Sequence, residues 1–348
     1  MRVRSMKPIV ACCLGVAVSV SAGRVCAQQW TQPLTPYGHP DIQGNWTNAT
    51  LTTFERDPGL GRAYSEAEAA RIEGRAQSTV EAGLAPSDAD RAPPPVTGQI
   101  GQSYNQIYYD RGDQLARIDG EARTSLITYP DAGRIPALTA EGQRRKQAYE
   151  ERRARFGEFD HPELRPLAER CIVFFGSSSN SVMGPPMTPT RGYNNNFTIV
   201  QNADHIVIRA EMIHDVRIIR LGEPERLPQH VRPWFGDSWG RWEGNTLVVE
   251  TTNVNLDQGP REQTDKILQS PEARVIERFT QMDERNMLYE FEVHDPGTYT
   301  EVWGGQVPWR RFDEQIHEYE CHEGNYALES ILRGARYQEE QAAADLRR

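Results

Sequence analysis

From residue 197 to residue 321 the chain is a succession of strand-like segments with no helical stretch between them, and this limits the fold more than any other feature. Segments 197–201, 205–213, 216–221, 246–252, 274–282, 287–294, 299–309 and 316–321 are rich in Ile, Val and aromatic residues. Turn chemistry separates them, as in Glu243-Gly244-Asn245 and Asp283-Glu284-Arg285-Asn286. Parallel neighbours need long crossovers, usually helical, so the spacing predicts a mainly β chain: an antiparallel barrel, or a sandwich.

Alternation gives the faces of one hairpin. Met287, Tyr289, Phe291 and Val293 share one face, and Leu288, Glu290, Glu292 and His294 the other. In 274–282, Val275, Glu277 and Phe279 oppose Arg274, Ile276, Arg278 and Thr280, so neither face is wholly apolar. Period alone leaves open whether such carboxylates face solvent or a polar lumen. Near the other end, Gly44-Asn45-Trp46 looks like the Gly-x-Trp that opens lipocalin-type barrels, where the Trp closes the floor.

The first half is punctuated by Pro and Gly and carries two helical stretches. Ser65 with Glu68 forms a capping box opening a helix to about Ala82, and Thr139 opens a strongly charged helix through Arg155. Segment 85–101 is a Pro-rich loop, and 103–110 and 122–129 read as short strands. Residues 28–195 thus form a wrap with the first strands and two helices, 196–337 the β-rich core of the same domain, and 338–348 a flexible tail.

Residues 1–27 read as a secretory signal peptide: Arg2, Arg4 and Lys7, then an apolar stretch, then Val25-Cys26-Ala27 as a small-residue cleavage site. The expected location is periplasmic or secreted. Lipid attachment at Cys26 is the alternative, disfavoured by Val25 before it. Loss of the leader removes Cys12, Cys13 and Cys26, leaving Cys171 and Cys321 to form a disulfide in an oxidising compartment. With 39 basic residues against 49 acidic, a formal charge of −10, and no basic run, the chain is expected to repel nucleic acid and to lack a stable membrane anchor.

Chemistry-bearing residues concentrate in the β-rich half. His322 and Glu323, after Cys321, could move a proton if the chain turns at Gly324; His214, in Glu211-Met212-Ile213-His214-Asp215-Val216-Arg217, is a second candidate base. Arg217 could pair with Asp215 or steady developing negative charge. Arg241 and Trp242, on an aromatic-rich loop with Trp234, Phe235 and Trp239, suit ring stacking, and with Glu211 and Arg217 they form the expected substrate-binding set. The eight histidines show no metal-ligand spacing, and nucleotide fingerprints are missing, so neither a metal nor an organic cofactor is expected.

The strings Gly38-His39-Pro40-Asp41-Ile42-Gln43-Gly44-Asn45-Trp46, Gly240-Arg241-Trp242-Glu243-Gly244-Asn245-Thr246-Leu247-Val248-Val249-Glu250-Thr251 and Cys321-His322-Glu323-Gly324-Asn325-Tyr326 together resemble a family of uncharacterised secreted bacterial β-rich proteins. The resemblance implies secretion and a single β-rich unit, and assigns no reaction. Two expectations stand for the small molecule the protein meets. One is acid–base chemistry by a cofactor-independent lyase, isomerase or hydrolase; the alternative is non-catalytic binding in a lipocalin-like barrel.

Overall fold

A computed structural model describes residues 30–86, 90, 110–174, 183–190, 192–213, 215–256 and 268–347. The leader, His214 and the expected strand at 103–110, apart from Asp110, lie outside the described residues. Gln32–Arg348 form one compact unit.

In chain order, strand β1 is Gly44–Thr47, helix α1 Glu66–Leu84, strands β2 and β3 Arg117–Ile118 and Glu121–Ala122, strand β4 Ile127–Tyr129 and helix α2 Ala140–Ala154. Strands β5 Asn196–Gln201, β6 His205–Ala210, β7 Val216–Leu221, β8 Asp237–Glu243, β9 Thr246–Thr252, β10 Arg274–Gln281, β11 Asn286–His294 and β12 Trp303–Phe312 follow, then helix α3 Tyr326–Asp345. β5 to β12 pair in order, and β1 sits between β12 and β5, closing a 9-strand barrel. β4 adds to the edge of β12 beyond β1. Thr47, Asn196, Asp237, Arg274 and His294 mark one end of the barrel, the mouth; Gly44, Gln201, Glu243 and Gln281 mark the other, the floor.

Alternation places the core. The inward set of β10 is Val275, Glu277, Phe279 and Gln281, and that of β11 is Met287, Tyr289, Phe291 and Val293. Trp46, Phe197, Phe279, Tyr289, Phe291 and Trp309 fill the interior, with the Phe197–Trp309 and Phe279–Tyr289 ring centroids each 4.9 Å apart. Cutting one such ring back to Ala costs about 3–5 kcal/mol. Glu290 and Glu292 take the outer face, where Gln306 and Arg278 meet them.

At the floor, the Trp46 indole N–H donates to the Ile42 carbonyl (3.0 Å), and the Arg311 guanidinium lies 5.3 Å over its ring. Gly44 makes that approach feasible. Its φ is +131°, and a Cβ there would stand 2.7 Å from Arg311 Nη2. At the mouth, residues 183–190 are buried throughout. The Met187 amide N–H donates to the Tyr289 hydroxyl oxygen (2.8 Å), and Gln269 Nε2 donates to the Pro185 carbonyl (2.8 Å).

Four features depart from the sequence reading. β7 and β8 pair in parallel, because 222–236 crosses to the far end of the barrel before β8 begins. Asp237 anchors that crossover: its carboxylate accepts from the Leu227 amide (2.8 Å) and pairs with Arg220. Residues 237–243, read as an aromatic-rich loop, are β8; their inward positions, Ser238, Gly240 and Trp242, are simply less aliphatic than those of other strands. Residues 316–321 contribute one bridge, Met212 to Tyr319, and no strand. Residues 326–345, read as the end of the core and a tail, are helix α3, where Leu328, Ile331, Leu332 and Ala335 repeat at helical spacing.

Candidate functional site

Helix α1 begins as a capped helix should. The Glu68 amide donates to the Ser65 hydroxyl, and Glu68 Oε2 accepts from the Ser65 amide (2.9 Å). One face docks through fully buried Ala69 and through Glu73, which accepts from the Leu115 amide (2.9 Å) and holds Arg117. That Arg117 hydrogen bond keeps the Glu73 carboxyl below the usual carboxylate range.

Beside this docked face the helix forms one wall of a groove of about 570 Å³, a size suited to a small organic molecule. The opposite wall is loop 110–113 with Arg310 of β12; Leu51, Ile72, Ala76 and Val80 supply apolar surface. Gly112 sets the position of that loop. Its φ is +72°, and a Cβ would meet the Thr50 nitrogen at 2.7 Å, so only glycine lets the loop lie on the chain leaving β1.

Four arginines, Arg71, Arg75, Arg111 and Arg310, face two aspartates in the groove. Asp113 pairs with Arg310 (2.8 Å). Asp110 accepts from the Thr47 hydroxyl (3.2 Å), and its backbone carbonyl accepts from Asn195 Nδ2 (2.6 Å). Burial pushes the Asp110 carboxyl up from its ordinary range, and the Thr47 hydrogen bond only partly opposes this. The groove is thus locally positive on an acidic chain, a setting that draws an anion.

A second polar cluster lies inside the barrel under 183–190. Arg217 donates to Glu277 through two nitrogens, to Ser238 Oγ (3.1 Å) and to Thr251 Oγ1 (2.7 Å). The Tyr289 hydroxyl donates to Glu277 Oε1 (2.8 Å) while accepting from Met187. Arg217 and Glu277 are both fully buried, and the neighbouring Glu277 outweighs desolvation so that the guanidinium titrates above its normal range. Burial drives the Tyr289 phenol strongly upward as well. Every partner here belongs to the protein, so the cluster pins the buried segment to the barrel wall.

The structure separates the sequence-derived site residues. Cys171 and Cys321 are bonded, joining segments 150 residues apart. His322 and Glu323 follow on an exposed turn, and neither side chain hydrogen-bonds a described residue. Arg217 pairs with Glu277, not Asp215, whose carboxylate accepts from the Phe174 amide (3.1 Å). Glu211, half-buried at the outer rim of the mouth, accepts from Asn196 Nδ2 (3.2 Å), and burial raises its carboxyl above the ordinary range. Arg241 and Trp242 belong to the floor: Arg241 is exposed and paired with Glu243, and Trp242 stacks on His39 (6.1 Å). Ser238, which binds Arg217, is four residues earlier on β8, roughly 13 Å away at the rise of a strand. Among the described residues, the expected catalytic and binding residues do not form one constellation.

The groove residues escaped the sequence reading, although Arg71 and Arg75 beside Ile72, Ala76 and Val80 carry the signal of one helix face. Among the described residues, no group of three or more His, Cys, Asp or Glu is placed to hold a metal ion, and no helix is long and apolar enough to cross a membrane. Comparison with protein-family models, curated proteins and solved structures finds no match to this chain.

Proposed function

We propose that this protein is a non-catalytic small-ligand-binding protein, built on a lipocalin-like barrel and working in the periplasm or outside the cell, that takes its ligand in the groove between α1 and loop 110–113. The groove carries the reading, because it combines concavity, apolar surface and unequal charge in one place. The barrel interior is a poorer candidate: aromatic rings and the buried 183–190 segment occupy it. The Gly44 and Trp46 geometry at the floor supports the lipocalin-like description. The Cys171–Cys321 bond supports an oxidising compartment, as does the resemblance to secreted proteins. Acid–base chemistry finds less support, since His322 and Glu323 stand exposed and neither lines the groove.

The test is a fluorescence titration with N-phenyl-1-naphthylamine, a neutral aromatic probe. Saturable one-to-one binding is expected, and Val80→Asp, at a position already 51% exposed, should abolish it without lowering thermal stability. Absence of saturable binding, or binding indifferent to Val80→Asp, overturns the groove as the site.

A further inference from the structure

We infer that the ligand is an amphiphilic anion: a small organic acid whose charged head sits between Arg71 and Arg75 and whose apolar body lies along Ile72, Ala76 and Val80. This rests on the groove being the binding site and names the class of molecule that fits it.

The argument begins with helical spacing. Arg71 and Arg75 are four residues apart, so their side chains rise from the same strip of α1, and both line the groove. Ile72, Ala76 and Val80 repeat at the same interval on the adjoining strip. The helix therefore presents two arginines about one turn apart beside an apolar line about two turns long, which is the outline of a molecule with one anionic end and an apolar flank.

The other charges around the groove are committed. Asp113 holds Arg310 at 2.8 Å, and Asp110 is tied to the Thr47 hydroxyl. Glu68, one turn before Ile72, is engaged by Ser65 in the helix cap. Among the described residues, no carboxylate forms an ion pair with Arg71 or Arg75, and neither guanidinium donates a hydrogen bond. Among the described residues, Glu68, itself held in the cap, exerts a carboxylate influence on Arg71, yet two guanidinium groups without an ion pair stand together on a chain with net charge −10. They present planar N–H donors suited to a carboxylate or sulfonate. The Val80 side, 51% exposed, leaves an apolar surface that the body of the ligand would cover.

A matched pair of probes tests this. 1-Anilinonaphthalene-8-sulfonate and N-phenyl-1-naphthylamine share an aromatic body and differ in the sulfonate. The anion should bind at least tenfold more tightly, with an affinity that falls as salt rises, and laurate should displace it. Arg71→Gln with Arg75→Gln, both at exposed positions, should collapse the preference to within twofold by weakening the anion. Equal binding of the two probes by wild type, both lost in Val80→Asp, overturns the anionic class and leaves the groove as a ligand site. An anion preference that survives the double substitution overturns the assignment to Arg71 and Arg75. Failure of both probes to bind removes both readings, and failure of the anion alone removes the anionic class. Protein that sediments with phosphatidylglycerol vesicles, and ceases to do so in the double variant, would show a membrane surface to be the partner and overturn a monomeric ligand.

Discussion

Reducing the Cys171–Cys321 bond should destabilise the whole barrel, not only the tail it tethers. The bond closes a loop of 150 residues, from the segment beside the mouth to the turn before α3, and every strand from β5 to β12 lies within it. The loop-closure relation gives an unfolded-state entropy loss of about 17 cal/mol/K for that length, or about 5 kcal/mol at 25 °C. Local contacts of the tail add little. Helix α3 has no buried residue, and its neighbourhood is held by the Asn325 side chain on the Glu169 carbonyl (2.9 Å) and Arg336 on the Phe159 carbonyl (3.1 Å). Cys321→Ser should therefore lower unfolding free energy by about 4–5 kcal/mol in urea, with a steeper denaturant slope because the unfolded chain is no longer cross-linked. A chain ending at Glu318 should lose the same amount to within about 1 kcal/mol, since it loses the same cross-link. A loss below about 1 kcal/mol in Cys321→Ser would refute the loop-entropy argument. A truncation far more damaging than the point substitution would instead show that α3 contributes packing of its own.

The interior ion pair gives a second test. Glu277→Gln should cost about 3–5 kcal/mol, because it strands a buried guanidinium; Arg217→Met with Glu277→Leu should cost less than the two single changes added together. Additive losses in that cycle would refute the coupling. Asp110 and Glu211 make a third prediction, through pH. Burial raises both carboxyls above their ordinary range, so the folded state holds those protons more tightly than the unfolded one. Their contribution must then favour folding increasingly as pH falls from neutral through the raised folded values, and level off below the unfolded ones. The stability difference between wild type and Asp110→Asn/Glu211→Gln, followed by urea titration across weakly acidic pH, should move in that direction; a flat difference would exclude the raised values.

Much of the barrel was legible because alternation is a local property. Met287, Tyr289, Phe291 and Val293 announce a buried face without reference to any distant residue, and the cross-strand order followed chain order for most neighbours. β8 was obscured because Gly240 and Ser238 take inward positions that elsewhere hold aliphatic side chains: Gly240 lies against Ile219, Leu221 and Leu247, where a Cβ would crowd all three. The strand is thin in order to let its neighbours meet. Arg217 showed itself as a charge in an apolar stretch, but its partner stands 60 residues away, and nothing local distinguishes Glu277 from Asp215. The groove was less legible still. It exists only where α1, the end of β1, loop 110–113 and β12 come together, and no single one of these segments reads as a site.

The parallel pairing of β7 and β8 has a consequence in parity. A closed ring in which every neighbour runs opposite to the last must contain an even number of strands. A ring of nine cannot close that way, and a single like-directed pair restores consistency. The 222–236 crossover is therefore the feature that permits an odd barrel. A strand of six residues rises about 20 Å, so any shortened connection must still span the barrel's height, on the order of six extended residues at least. Below that length β8 would have to enter reversed, and the circle of hydrogen bonds would be left with one seam that no register could mend.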